Sequence, residues 1–220
     1  MNEERRIRVT GTGLLRLKPD LCRVDLTLRG LEPAYSDALN RASRDSAALG
    51  EAIAALGFAR EDLKTLDFSV DAEYESVQDD KGHWRQEFKG YRFTQALKLE
   101  FPVDNARLGR TLAALAAAPV DPEFHLSYAL RDPESAKAAL LEAAVGDARR
   151  KAGILASAAG VKLGALLRVD YSLAEPALET PRMAKAMLAR NSVEESIQMD
   201  FQPDDIRARD TVTLVWAIEA

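Results

Sequence analysis

At 220 residues and 24.1 kDa, with 47% apolar residues, the chain can fill a hydrophobic core, so disorder is not its default. It carries 30 basic residues against 35 acidic ones, and a net charge of -5 gives no general attraction to nucleic acid or an anionic membrane. One Cys and two His exclude an internal disulfide, a zinc finger and a His-based metal cluster.

Arg5 and Arg6 open the chain, but no apolar stretch follows them as it would in an export signal. The longest apolar run, Leu112 to Ala118, is far short of the ~20 residues that span a bilayer. As written the chain is expected to be cytoplasmic, or periplasmic if a leader has been removed, with no membrane span. Residues 7–18 predict one strand, bent at Gly11 or Gly13. After the Lys18-Pro19-Asp20 turn, Cys22, Val24, Leu26 and Leu28 alternate with Arg23, Asp25, Thr27 and Arg29, the pattern of a strand with one wet face. Tyr35, Ala38, Leu39, Ala42, Leu49, Ile53 and Leu56 then recur at three and four, predicting an amphipathic helix that ends at Gly57.

Leu66, Phe68 and Val70 open a second pair of strands, joined by a loop at Gln78 to Gly82 and returning through Tyr91, Phe93, Leu97, Leu99 and Phe101. Asp104 or Asn105 caps a shorter helix with Leu108, Leu112 and Leu115, stopped by Pro119. Phe124 to Leu130 alternate as a strand. Asp132-Pro133 opens a long Ala-rich helix to Gly160, with Ala136, Leu140, Ala143, Ala152 and Leu155 expected inward. Leu167 to Leu173 and Val212 to Ile218 are the last strands. Between them an insertion at about 174–205 is long for a loop within a compact domain.

The two long helices align as a weak internal repeat, each preceded by a strand, closed by a Gly and followed by two strands. The expected fold is α+β: duplicated strand-helix-strand-strand units, at about 19–101 and 122–218, in an antiparallel-rich sheet with two long helices on one face. With no linker rich in Pro, Gly or Ser, residues 1–220 are expected to form a single domain with that repeat inside it.

Several strings, in this order and spacing, resemble the SIMPL domain family (DUF541). They are Val9-Thr10-Gly11-Thr12-Gly13, Lys18-Pro19-Asp20, Leu56-Gly57-Phe58 with Glu61-Asp62-Leu63-Lys64-Thr65, and Gly90-Tyr91-Arg92-Phe93. Leu130-Arg131-Asp132-Pro133, Ala159-Gly160-Val161-Lys162-Leu163-Gly164 and Pro203-Asp204-Asp205-Ile206 complete the set. The resemblance covers about Arg6 to Ile218. It implies a duplicated α+β fold and, in some members, large rings. Bacterial members include periplasmic oxidative-stress proteins and an immunogenic outer-membrane-associated protein, and a mammalian member is named for binding a signalling kinase. The family has no agreed catalytic motif.

The residues themselves support no reaction. Gly11-Thr12-Gly13 lacks the following helix N-terminus that a phosphate loop needs, and reads as a bulge or a close backbone approach. The acid pairs Glu61/Asp62, Asp79/Asp80, Glu194/Glu195 and Asp204/Asp205 fall in turns or the insertion, where solvent serves them. No Ser has a His and an acid arranged around it. Cys22 shares the parity of Val24 and is expected to be a buried, inert thiol. His125 reads as a surface residue, and Arg149-Arg150-Lys151 as a solvated helix face. No catalytic, cofactor-binding or metal-binding residue is assigned.

The candidates are surfaces. His83 and Trp84 lie at the tip of the first hairpin, where an exposed aromatic marks recognition, with packing on Phe88 as the alternative. In the insertion Thr180-Pro181 can start a helix whose stripe holds Met183, Ala184, Met187 and Leu188, too short to stand without a partner surface. A non-enzymatic homo-oligomeric assembly linked to stress protection is therefore expected. The alternatives are a monomeric adaptor that binds a protein partner through the hairpin at Trp84, and an enzyme or small-ligand protein.

Overall fold

A computed structural model describes residues 5–79, 82–171, 177–179 and 202–219. In chain order the strands and helices are β1 (Arg6–Leu17), β2 (Leu21–Glu32), α1 (Tyr35–Ala54), β3 (Leu63–Gln78), β4 (Trp84–Pro102) and α2 (Asn105–Ala117). Then follow β5 (Glu123–Ala129), α3 (Pro133–Ala158), β6 (Lys162–Asp170), β7 (Ala177–Glu179) and β8 (Ile206–Glu219). The fold is α+β with antiparallel strand pairing.

The described chain divides into two compact units, one of residues 20–79 and 82–128, the other of residues 5–19, 129–171, 177–179 and 203–219. Each has its own four-stranded sheet, ordered β3-β4-β2-β5 in the first and β1-β8-β6 with β7 beside β8 in the second. The single shared sheet expected from the sequence is thus two sheets.

In the first unit the alternation of β2 carries through to burial. Cys22, Val24, Leu26 and Leu28 are buried against Phe93, Leu97, Leu99 and Phe101 of β4. Ala38, Ala42, Leu49 and Ile53 of α1 and Leu108, Leu112 and Leu115 of α2 close this core. Two members of the expected α1 stripe, Tyr35 and Leu39, are exposed instead. The α2 cap is Asp104, whose carboxylate accepts from the Arg107 N–H at 3.0 Å.

In the second unit β1 pairs with β8 in one uninterrupted register from Arg6↔Ala217 to Leu17↔Ile206, with no bulge at its glycines. Gly11 and Gly13 serve the close approach instead: a Cβ there would lie 2.1 Å from the main-chain oxygens of Ala144 and Leu140 respectively. The facing side of α3 is correspondingly small. Leu140, Ala144, Ala148, Ala152 and Ala156 are buried along it, whereas Leu155, expected inward, is exposed. Asp132 caps α3 through the Ser135 N–H at 3.0 Å, with Pro133 in the first turn, as the sequence predicted.

The two sheets share one pattern of strand pairing. β2, β4 and β3 with α1 have the same pairing as β1, β8 and β6 with α3, the last strand in the centre each time. Both long helices also exit alike: Gly57 and Gly160 take positive φ, and the next residues, Phe58 and Val161, donate back to Ile53 and Ala156. The sequence placed Phe124 to Leu130 at the head of the second repeat. β1 fills that place because its 12 residues match the 14 of β8, whereas the seven-residue β5 extends the other sheet beside β2.

Candidate binding surface

The register of β3 and β4 builds an exposed feature. β2 pairs with β4 only as far as Glu32↔Tyr91, while β3 follows β4 on to Gln78↔Trp84. Beyond Tyr91 the pair is therefore a two-stranded arm among the described residues. A bulge at Lys89-Gly90 marks its root, where Gly90 has φ 141° and a Cβ would meet the Glu32 carbonyl at 2.5 Å. At the tip, Asp79 closes the turn. Its carboxylate accepts the His83 N–H at 2.8 Å, its carbonyl accepts the Gly82 N–H at 2.9 Å, and its own N–H donates to the His83 carbonyl at 2.9 Å. The His83 ring lies 3.5 Å from the same carboxylate.

Trp84 follows, 69% exposed, at the tip where the sequence placed it. Phe88 meets Tyr74 across the strands at 5.6 Å between ring centres and Tyr91 at 5.3 Å, and Tyr91 meets Tyr35 of α1 at 5.6 Å. All three contacts are edge-to-face, the favoured geometry for ring quadrupoles. Tyr35, Tyr74 and Phe88 are all exposed. Pairing places Tyr74/Phe88, Ser76/Gln86 and Gln78/Trp84 on one face of the arm, in line with Ala72/Tyr91 and Val70/Phe93. That is the face whose inner end forms the core beneath α1.

The opposite face of the arm is charged. Glu75 and Glu87 stand directly opposite one another, a repulsive placement relieved by Lys89, whose Nζ lies 3.0 and 3.6 Å from them. Nearer the sheet Arg92 binds both carboxylate oxygens of Glu73 and holds that carboxyl below its usual range. From residue 71 to 92 six acids stand against four bases, so the arm is net acidic.

Of these residues the sequence identified His83 and Trp84 and noted the gathering of aromatics, but not the ladder. The available signal was the equal distance of Tyr74 and Phe88 from the turn. Tyr35 lies in another element, and nothing local links it to Tyr91. Met183, Met187 and Leu188 lie outside the described residues.

The other candidates are structural. Cys22 is buried, and burial pushes its thiol up to about 12, so it is not a ready nucleophile. Tyr128, also buried, is pushed up to about 12 first by desolvation and has no hydrogen-bond partner for its hydroxyl. His125 is half-buried rather than a surface residue. Arg150 and Lys151 pair with Asp147 on α3, and Lys151 also reaches the Thr10 carbonyl at 3.4 Å. Asp62 of the first acid pair accepts the Ala59 N–H at 2.9 Å, a capping contact. Among the described residues no three His, Cys, Asp or Glu side chains form a group that could hold a metal ion, and no helix is long and apolar enough to cross a membrane.

The profile of the SIMPL family, described as a protein of unknown function (DUF541), matches residues 7–216. The chain belongs to the SIMPL family. No curated relative matches it. The SIMPL match spans both sheets and both repeats, so the strings that resembled the family are spread through its whole architecture: Gly11 and Gly13 admit α3, Lys18-Pro19-Asp20 joins β1 to β2, and Gly90 roots the arm.

Proposed function

We propose that this SIMPL protein acts without catalysis, as a homo-oligomeric assembly with a role in stress protection. The observation that supports this reading is the arm, which carries an aromatic ladder and a 69% exposed Trp84 on a two-stranded ribbon. Isolated two-stranded ribbons are marginal in water, and contiguous exposed apolar surface commonly marks an interaction site. Self-association would cover the ladder and support the ribbon together. Because Cys22 is the chain's single cysteine and is buried, the assembly would tolerate a reducing cytoplasm and, behind a leader, an oxidising periplasm alike.

Light scattering on the purified chain over a wide concentration range tests the reading, since a defined mass of several protomers is expected and a constant monomer mass contradicts it. The second reading is a monomeric adaptor using the same arm for a different protein. Trp84 favours it, because a protruding indole is the side chain most often found at the energetic centre of protein interfaces. A monomer retained on a partner, and released by Trp84→Ala, would select the adaptor.

A further inference from the structure

The side of the second unit's sheet that points away from α3 is a strip of arginine and threonine. Gly11 and Gly13 face the helix, so the alternate residues of β1, and the residues of β8 paired with them, face the other way. Along that side the pairs run Arg8↔Val215, Thr10↔Thr213, Thr12↔Thr211, Leu14↔Arg209 and Arg16↔Arg207, and β6 adds Arg168 beside Val215 and Asp170 beside Thr213. The Thr10 and Thr213 hydroxyls share a hydrogen bond of 2.8 Å. Arg8, Arg16, Arg168, Arg207 and Arg209 are all exposed. From Arg8 to Arg16 the strip is about 27 Å long at ~3.4 Å per residue, and among the described residues it is at most three strands wide, about 10 Å.

Its charges are not matched as they are in the first sheet, where Arg23 stands opposite Glu100 and Asp25 opposite Lys98. Arg16 and Arg207 are directly opposed, a like-charge pairing that costs stability. Neither they nor Arg209 form an ion pair among the described residues, and the acid that the register sets beside them is Glu179, opposite Arg207. At the other end Arg8 and Arg168 share Asp170. Past them lie Arg6 and the matched pair Lys162↔Glu219. This side therefore holds seven bases and three acids, and since the chain's net charge is -5, the remainder carries -9. The whole-chain balance conceals a segregated one.

We infer that this strip binds the phosphate backbone of a duplex nucleic acid without reading its sequence, a property independent of the assembly proposed above. Guanidinium and threonine hydroxyl groups are common donors to phosphate oxygens. Between the two arginine groups the strip offers only hydroxyls. A polymer with a phosphate at every unit meets donors along the whole length, whereas an acidic peptide would need carboxylates set at the two ends. A planar anionic membrane would also meet the acidic remainder of the chain, which a linear polyanion lying along the strip avoids. No aromatic residue lies at the positions that the register sets on this side, so an unpaired base has nothing to stack on and a duplex, with its bases already stacked, fits better than a single strand.

Fluorescence anisotropy of two labelled DNA duplexes of about 20 base pairs and unrelated sequence, titrated with the full chain, tests it. Both are expected to bind with the same affinity within about threefold at low salt. About five phosphate contacts would weaken that affinity roughly 500-fold between 50 and 200 mM salt. Combining Arg16→Gln, Arg207→Gln and Arg209→Gln should weaken binding at least tenfold and flatten the salt dependence, with the urea midpoint and the mass in solution unchanged. Combining Arg60→Gln, Arg110→Gln and Arg149→Gln removes the same charge from exposed residues outside the strip and should change affinity by no more than about threefold. No binding at 50 mM salt overturns the inference, as does an equal loss in the two triple variants, which would trace binding to net charge. Tighter binding of a single strand, or capture by phosphatidylglycerol vesicles or polyglutamate in preference to the duplex, overturns the occupant named here. Each of these results leaves the assembly to be decided by light scattering alone.

Discussion

Two glycines and one carboxylate join β1 to α3. Gly11 and Gly13 leave no room for a Cβ against the α3 backbone, so Gly11→Ala must push the helix off the strand. A loss of about 1–3 kcal/mol or more is expected in urea unfolding, the usual cost of overpacking a tight contact. A neutral Gly11→Ala would mean that the helix is not held this closely. Asp147 serves the outer edge of the same strand. β1 ends its sheet, and Asp147 accepts the Thr12 N–H at 2.9 Å while Lys151, 2.7 Å from that carboxylate, reaches the Thr10 carbonyl. The edge thus gains main-chain partners from a helix, one way to blunt a strand that could pair with another chain. Lys151 and the Thr12 N–H hold the Asp147 carboxyl down to about 2, against about 3.9 in an unfolded chain. A carboxyl depressed in the fold stabilises fully above the unfolded value and loses its effect as pH falls through the folded one. Asp147→Asn should therefore lower the urea midpoint at pH 7, with the gap to the native chain closing between about pH 4 and pH 2. A gap that persists unchanged at pH 2 would show that charge is not its source.

At the scale of elements, strand faces were legible and strand neighbours were not. Cys22 to Leu28 alternate because one side of β2 meets helices and the other meets water. Alternation assigns a face, but gives no preference between β1 and β5 as the partner of β8, which is set by matching lengths and by the glycine notch for α3. The buried side of α3 was only partly legible for another reason. A helix so rich in alanine has little contrast between faces, so Ala143 and Leu155 looked as suitable as Ala144 and Ala156. The arm shows the same divide, its turn legible from local residues and its ladder dependent on Tyr35 in a different element. If the arm is a recognition element rather than part of the core, replacing both His83 and Trp84 by Ala should change stability by no more than about 0.5 kcal/mol. Phe93→Ala, inside the sheet, should cost about 3–5 kcal/mol. Denaturant titration of both variants checks the contrast, and a loss of several kcal/mol at Trp84 would place it in the core.

For the whole molecule, the duplicated α+β pattern gives each unit its own sheet and core, with the strand at the head of the second repeat supplied by the N-terminus. The aromatic arm is the feature that neither core explains, and it carries the proposal that the protein works as an assembly. Replacing Met187 and Leu188 by Asp should leave the far-UV spectrum and urea midpoint of the chain unchanged while lowering its mass in solution. Unfolding of this variant would instead make the segment part of its own chain's core. The most direct measurement is the molar mass of the native chain by multi-angle light scattering, from dilute to concentrated protein. A single defined mass that is a multiple of 24.1 kDa is predicted. A constant 24.1 kDa at every concentration would contradict the account.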